Sequence, residues 1–269
     1  MGKVPVSCFI ISKNEADRIA RTIRSVRPWV DEVVVVDSES TDDTVSVALA
    51  EGCRVITQPW LGFGGQKRFA EDQCRNTWVL NLDADEVVTP ELAREITAVF
   101  ETGEPSFVAY GMPVQMVYPG AAKPRPLARD HWYVRLYNRR VVRFRESAVH
   151  DSVVTDDHPF GRLKGSMYHY SMRSFADMKR KLNERTWLLV ENSEHDTTGA
   201  FMSRLLTEFP MNFFKYYIIR RHCTGGLTGL RYASIQSGFR FLKIYRIWRS
   251  GSPRAASSGS ITASATREY

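Results

Sequence analysis

The chain has 269 residues, of which 43% are hydrophobic and 25% charged, with a formal net charge of +7. This length and apolar content are ample for a folded core, which excludes a disordered chain as the default. The four cysteines lie far apart with no CxxC pair. We therefore expect reduced, packed thiols and neither disulfides nor a zinc site.

No stretch predicts a membrane-spanning helix or a secretory signal. The longest run without a charged residue covers residues 105–122, but prolines and glycines interrupt it, and a spanning helix needs about 20 apolar residues. The first apolar run, VPVSCFIIS, is short and strand-like, with no basic region before it. We expect neither a signal peptide nor a transmembrane segment.

The first hundred residues alternate short apolar runs with segments of helical period, which is the pattern of a mostly parallel sheet covered by helices. Four consecutive valines in EVVVVD indicate a strand that is buried on both faces. Thr41 or Asp42 is expected to cap one helix, and Thr89 another with Pro90 at its first position. The predicted strands cover residues 6–12, 32–37, 54–57 and 78–82, and two predicted helices cover residues 15–26 and 66–75.

Beyond Gly103 the segments become longer, aromatic and rich in β-formers. The runs at 109–118, 132–137 and 141–144 predict a mixed second half of the same sheet. A long helix is expected after Ser174, which would cap it. The last twenty residues are small, polar and aperiodic, which predicts a disordered tail.

Three acids stand directly at the end of the strand in VLNLDADEVV: Asp83, Asp85 and Glu86. Carboxylates this close disfavour each other's ionised forms, so such a cluster is usually solvated, paired with bases or gathered around a cation. Asp37 closes the valine-rich strand, and ligands of open α/β sheets bind at the carboxyl ends of strands. Mg²⁺ or Mn²⁺ with substrate phosphates suits this placement, and a solvated, helix-capping turn is the alternative.

A glycine-rich stretch, LGFGGQKRF, lies between the third and fourth predicted strands. Gly62, Gly64 and Gly65 would let the backbone approach a ligand closely. Lys67 would then open the following helix, where a diphosphate is favoured. The stretch matches neither the dinucleotide fingerprint nor a phosphate-binding loop with G-K-[ST].

Six segments that span most of residues 4–180 occur in a recognisable order. They are ISKNEADRIARTIRSV, DEVVVVDSESTDDTV, WLGFGGQKRFA, WVLNLDADEVVTPEL, VHDSV and HYSMRSFADM. Through these six segments the chain resembles the inverting family 2 glycosyltransferases with the GT-A fold. It is most similar to the bacterial subgroup that adds sugars to the lipopolysaccharide inner core, including β-1,4-glucosyltransferases.

The resemblance implies an α/β fold of the GT-A type, a Rossmann-like mixed sheet flanked by helices. The residue pattern beyond it predicts a C-terminal amphipathic helical extension. The predicted domains are a nucleotide-sugar and acceptor domain at 1–172, a helical basic and aromatic membrane-association region at 173–250, and the disordered tail at 251–269.

The resemblance also assigns roles to single residues. Asp151 matches the catalytic base, although the subgroup often has Glu there, so His150 stays as a competitor. Asp85 matches the acid that holds the metal on the diphosphate, and His169 a further metal or diphosphate contact. The nucleotide-sugar contacts are expected from Glu15, Asp37, Lys67 and Asp83. A cap for the turn after the strand is the structural alternative for Asp37.

The resemblance implies a metal-dependent, inverting transfer of a sugar from a nucleotide-sugar to a lipid-linked saccharide such as the lipopolysaccharide inner core. A UDP-sugar is the expected donor. A polyprenyl-phosphate or capsule glycosyltransferase is the nearest alternative. A sugar nucleotidyltransferase would need a basic loop near the first strand, which offers only Lys13 and Arg18. The acids at 37, 83, 85 and 151 argue against a membrane-docking scaffold with a decayed site.

The positive charge is confined to one C-terminal segment. Residues 203–249 hold nine basic residues and one acid, whereas the rest of the chain is nearly neutral. Within FRFLKIYRIWR, basic and apolar residues occupy opposite halves of a helical wheel. We expect Arg240, Lys243, Arg246 and Trp248 to meet an anionic membrane from the cytoplasmic side. Packing on the catalytic domain or a second subunit is the alternative, and no recognised module indicates nucleic acid.

Overall fold

A computed structural model describes residues 2–101, 103–128, 131–147, 152–191 and 199–250. The tail predicted at 251–269 lies outside these ranges. The chain divides into two compact units, the first of residues 1–117 and 130–171 and the second of residues 118–129 and 172–269.

The first unit holds the sheet and four helices. Its helices are α1 (Ile19–Val26), α2 (Thr44–Ala50), α3 (Phe63–Asp72) and α4 (Pro90–Glu101). Its strands are β1 (Val4–Ser12), β2 (Val30–Asp37), β3 (Arg54–Thr57), β4 (Trp78–Asp83), β5 (Glu86–Val88), β6 (Ala109–Met116), β7 (His131–Asn138), β8 (Arg143–Phe144), β9 (Val153–Val154), β10 (Gly161–Arg162) and β11 (Met167–His169).

Among the described residues, nine strands form one mixed sheet in the order β3-β2-β1-β4-β7-β6-β11-β5, with β10 beside β6. Strands β1 to β4 pair in parallel, whereas β7 runs antiparallel to both β4 and β6. Strand β11 is parallel to β6 and antiparallel to β5. This mixed sheet flanked by helices confirms the GT-A architecture expected from the sequence.

Burial follows the two-residue period of the central strands. In β1, Cys8 and Ile10 join one core cluster and Phe9 joins the cluster on the other face. The valines of β2 divide in the same way, so this strand is buried on both faces as predicted. The first cluster takes Ile19 and Ile23 from α1, so this helix packs against that face of the sheet.

Three predicted elements differ in the structure. Helix α1 begins at Ile19 rather than Glu15, because Arg18 directly before it has a φ of −143° and residues 16–18 form a turn. Helix α3 covers Phe63–Asp72 rather than residues 66–75. Strand β8 pairs with β9 in a separate two-stranded sheet, so residues 141–144 do not extend the main sheet.

The second unit is helical. It comprises α5 (Phe175–Glu191), α6 (Gly199–Phe214), a π-helical turn (Lys215–Ile219), a 3-10 turn (His222–Gly225) and α7 (Gly226–Ser250). Ser174 Oγ accepts the N–H of Asp177, which confirms the predicted cap of α5. No helix in the described part of the chain is long and apolar enough to cross a membrane.

Candidate active site

Asp83, the last residue of β4, is held by two basic side chains. Lys67 Nζ lies 2.8 Å from its Oδ1, and Arg135 Nη2 lies 3.1 Å from its Oδ2. Lys67 comes from α3 and is fully buried, and Arg135 comes from β7. Burial by itself would raise the pKa of Asp83, but the two cations hold it well below its usual range.

Asp85 meets a second pair of bases. Its Oδ1 lies 3.2 Å from Nε2 of His169, and its Oδ2 lies 3.4 Å from Nη1 of Arg18. Burial opposes ionisation, yet the hydrogen bond and charge of His169 lower the pKa of Asp85. The same contact raises the pKa of His169 against the effect of its burial. These two distances are longer than those around Asp83, so Asp85 is the more loosely held carboxylate.

Glu86 has a structural role in the turn that follows β4. Its side chain is almost fully buried, and its Oε2 accepts the N–H of Asp83 at 2.9 Å. Its Oε1 accepts Arg135 Nη2 at 2.7 Å. Burial raises the pKa of Glu86, although Arg135 opposes that rise. Glu86 therefore ties the end of β4 to β7 through Arg135.

Neighbouring elements hold the Asp83–Asp85 turn in place. Thr22 Oγ1 of α1 donates to the carbonyl of Ala84 at 2.8 Å. The N–H of Tyr170 donates to the carbonyl of Asp85 at 2.9 Å, directly after β11. Because β11 pairs with β5, with His169 opposite Glu86, the sheet itself brings His169 to the acids.

Two further acids expected to contact the nucleotide-sugar, Glu15 and Asp37, have different surroundings. Glu15 accepts Nη2 of Arg18 through Oε1 at 2.8 Å and Nε through Oε2. Asp37 is buried at the end of β2, where its carboxylate accepts Ser12 Oγ at 3.0 Å and the N–H of Ser40 at 2.7 Å. Asp37 thus caps the turn that follows its strand, as the structural alternative expects.

Most of the glycine-rich stretch is helical, which corrects the expected loop conformation. Gly64 and Gly65 lie inside α3, and only Gly62, with a φ of 83°, precedes it. A Cβ on Gly64 would lie 2.2 Å from the carbonyl oxygen of Arg145. The close approach that needs glycine is therefore to this chain's own backbone, and the N–H of Gly64 donates to the carbonyl of Ser147.

The catalytic-base candidates, Asp151 and His150, lie outside the described residues. The described chain stops at Ser147, after β8, and resumes at Ser152, before β9. Helix α3 secures the β8 side, because Arg68 Nη1 donates to the carbonyl of Phe144 at 3.0 Å. Helix α3 therefore contacts both Asp83, through Lys67, and the backbone that leads toward residue 151.

Two important residues were not predicted as site residues. Arg18 joins Glu15, Asp85 and the carbonyl of Tyr170. Arg135 joins Asp83, Glu86 and Asn81. A single arginine within the otherwise uncharged strand WYVRLYN is a signal that could have been noticed, because a buried charge needs partners.

Basic side chains of the protein surround the acids, which is one of the three arrangements expected for such a cluster. Arg18, Lys67, Arg135 and His169 compensate them within the protein. Within the described residues, no group of three or more His, Cys, Asp or Glu side chains has the arrangement of a metal site. Asp85 and His169 nevertheless form an oxygen and nitrogen pair suited to a divalent ion that takes its other ligands from a substrate.

The four residues expected at the membrane lie on α7 in different surroundings. Arg240 and Trp248 are exposed, and Lys243 is partly buried. Arg246 packs inside the second unit, with its guanidinium 4.2 Å from the centre of the Trp187 ring and one nitrogen 2.7 Å from Asn183 Oδ1.

With this geometry in view, comparison with known proteins gives the family. Residues 7–163 match the family described as "Glycosyl transferase family 2". An "Uncharacterized glycosyltransferase" of Rickettsia felis is 41% identical over 251 residues, which cover 90% of this chain and 89% of the relative. The chain belongs to glycosyl transferase family 2, and it is a glycosyltransferase.

More distant matches have narrower names. The "Lipopolysaccharide core biosynthesis glycosyltransferase LpsC" of Rhizobium meliloti is 26% identical and is matched over 92% of this chain and 93% of its own length. Among solved structures, S. aureus TarS is 15% identical, with a TM-score of 0.46 over 93% of this chain and 55% of that chain. A structural likeness of this size carries no argument about ligands.

Proposed function

We propose that this glycosyltransferase moves a sugar, with inversion, from a nucleotide-sugar to a lipid-linked saccharide of the lipopolysaccharide core type. The paired Asp83 and Asp85 at the carboxyl end of β4, with basic side chains converging on both, carry the donor part of the proposal. The name of the LpsC relative supports the acceptor part. A UDP-sugar is the first donor to test.

The balance of charges at the strand end favours a divalent ion in the donor complex. Four carboxylates, of Glu15, Asp83, Asp85 and Glu86, face three permanent cations and His169. A diphosphate adds further negative charge, which these cations cannot also neutralise. Mg²⁺ or Mn²⁺ on Asp85 and His169 would supply Lewis-acid stabilisation of the leaving diphosphate.

The protein's own groups then have separate tasks. Lys67 and Arg135 keep Asp83 ionised and fixed, so its carboxylate is ready to accept a hydroxyl of the donor's ribose. In the transfer, an acceptor hydroxyl attacks the anomeric carbon, the bond to the nucleoside diphosphate breaks, and a base takes the hydroxyl proton. Asp151 is proposed as that base, with His150 as its competitor.

Donor binding is tested by titrating UDP by calorimetry with and without Mn²⁺. We expect binding that depends on the metal and that weakens at least about tenfold in Asp85→Asn, because one ligand carboxylate is lost. Asp157→Asn, which changes an exposed acid of the same unit, should bind like the wild type. Equal affinity of the two variants contradicts the metal role of Asp85.

The acceptor is tested by a donor screen against truncated lipopolysaccharide and against polyprenyl phosphate. Transfer to the core saccharide supports the proposal, whereas transfer to polyprenyl phosphate alone replaces its acceptor. Inversion is read from the anomeric coupling constant of the product by NMR, and a product that retains the donor's configuration overturns that part.

A further inference from the structure

Exposed apolar side chains are concentrated in one short segment of the second unit. Of the eighteen large apolar side chains that are exposed in the described part of the chain, eight lie between residues 206 and 230. Six are at least 46% exposed, and we call them the apolar tip: Leu206, Met211, Phe214, Ile218, Ile219 and Leu227. Soluble proteins rarely leave a concentrated apolar surface uncovered unless it meets a partner or a membrane.

The local structure holds these side chains outward. Met211, Phe214 and Ile218 are three and four residues apart, which places them on one face of the helical segment. Tyr216, within the same π-helical turn, is buried and faces His222 and Tyr232 with ring centroids 6.4 Å away from each. The turn is therefore attached to its unit through Tyr216.

The backbone after the turn is also well fixed. Arg221, between the π-helical turn and the 3-10 turn, has a left-handed backbone with a φ of 56°. Arg125 donates to the carbonyl of Arg220 at 2.9 Å and to that of Arg221 at 3.3 Å. Thr224 Oγ1 donates to the carbonyl of Arg221 at 2.9 Å. The apolar tip is thus displayed on an ordered support.

The charges near the apolar tip favour an anionic lipid surface over a second copy of this chain as its partner. Between Leu206 and Leu230 the sequence contains Lys215, Arg220 and Arg221 and a single acid, Glu208. A second copy on the same surface would bring three cations of each chain together with little opposite charge. An anionic lipid surface accepts both features, because the apolar side chains enter the interface while the bases meet headgroup phosphates.

We propose that the apolar tip inserts into the interface of an anionic phospholipid bilayer. This surface differs from the 239–249 stretch of α7, in which Ile244 is buried and Arg246 is engaged by Asn183 and Trp187. The purpose of docking rests on the proposed lipid-linked acceptor, whereas docking itself is independent of any sugar transfer.

The test is cosedimentation of the full chain with phosphatidylcholine vesicles, with or without phosphatidylglycerol, in the absence of donor and acceptor. We expect binding only with the anionic lipid. The double variant Phe214→Ser/Ile218→Ser should lower the partition coefficient at least about tenfold, because two exposed apolar side chains no longer enter the interface. Lys215→Gln and Arg221→Gln should each lower it about fivefold.

Matched controls separate this surface from others. Leu49→Ser removes a side chain that is 55% exposed on α2 of the first unit, and it should bind vesicles like the wild type. Arg240→Gln/Lys243→Gln tests the α7 stretch expected at the membrane from the sequence, and it should lower binding less than Phe214→Ser/Ile218→Ser does. Leu227→Ser, at a side chain that is 84% exposed, provides a second tip variant whose folding is not at risk.

Several outcomes overturn the proposal. One is wild-type protein that ignores anionic vesicles, and another is tip variants that bind as well as Leu49→Ser. A third is tip variants that change only self-association in sedimentation velocity, which assigns the surface to a second copy. Calorimetric UDP binding is measured on the same preparations, so loss of the donor site and loss of docking are told apart.

Discussion

Lys67 and Asp83 form a buried ion pair between α3 and the end of β4, with Nζ 2.8 Å from Oδ1 and no part of the lysine side chain exposed. A lysine in this position is stable only when its charge is paired. The pair therefore fixes α3 against the strand end, and it fixes the Asp83 carboxylate for its proposed ligand.

Replacement of Lys67 by Met should destabilise the protein by about 3 kcal/mol, because the partly buried Asp83 then keeps one cation fewer. The free energy of unfolding in urea measures this loss. Lys164→Met, at an exposed lysine, is the control and should change stability by less than about 0.5 kcal/mol. Similar values for the two variants would mean that the pair contributes nothing net.

Replacement of Arg135 should be at least as costly. The Arg135 guanidinium contacts Asn81, Asp83 and Glu86. Arg135→Met therefore leaves the buried Glu86 without a base and Asp83 with Lys67 alone, and it should cost about 3–5 kcal/mol. Arg135→Lys should recover only part of this, since an ammonium lacks the planar fork of donors. Full recovery by Lys, measured by the same denaturation, contradicts this role.

Most of the sheet could be predicted from local patterns, whereas the pairing at the site could not. The β1 and β2 strands follow from alternation and valine content, which are properties of neighbouring residues. The partner of Asp83 on β7 is 52 residues away in sequence, and only the sheet order places β7 beside β4. For the same reason the acids suggested a cation, because their bases come from distant parts of the chain: Arg18 before α1, and residues of α3, β7 and β11.

The glycines of α3 show a second reason why part of the structure could not be predicted from the sequence. Glycine is a poor helix former, so Gly64 and Gly65 indicated a loop. Close contact with the backbone at Arg145 and Ser147 requires glycine at 64 even within a helix. A local propensity was thus overridden by a tertiary contact that the sequence does not display.

Gly64→Ala and Gly65→Ala form a matched pair on one helix. A Cβ at 64 would lie 2.2 Å from the Arg145 carbonyl oxygen and 2.7 Å from that of Ser147, whereas at 65 it meets only Leu61 Cβ at 3.1 Å. We expect Gly64→Ala to cost about 2 kcal/mol and Gly65→Ala to change stability by less than about 1 kcal/mol.

The rate of sugar transfer should also differ between Gly64→Ala and Gly65→Ala. The backbone displaced in Gly64→Ala leads from β8 to the segment that carries Asp151, so we expect the maximal transfer rate to fall about tenfold or more. The donor KM should change little, because Lys67 and Asp83 remain. Steady-state kinetics of both variants provide the measurement, and equal rates would show that α3 does not position that segment.

His222 makes the stability of the second unit depend on pH. It is buried against Tyr232 at 4.3 Å between ring centroids, with Nδ1 2.5 Å from Tyr118 Oη, and Tyr216 lies on another side. Burial, then the charges of Arg125 and Arg220, lower its pKa to about 3. Unfolding returns the pKa to about 6.5, so the unfolded chain binds the extra proton.

Stability from this histidine is therefore complete above about pH 6.5 and is lost as pH falls toward 3, by on the order of 2 kcal/mol once solvent screening is allowed for. His222→Asn should flatten this part of the profile of unfolding free energy between pH 7 and pH 4.5. His158→Asn, at an exposed histidine of the first unit, should leave the slope intact. A slope unchanged in His222→Asn would show that the proton taken up on unfolding belongs to another group.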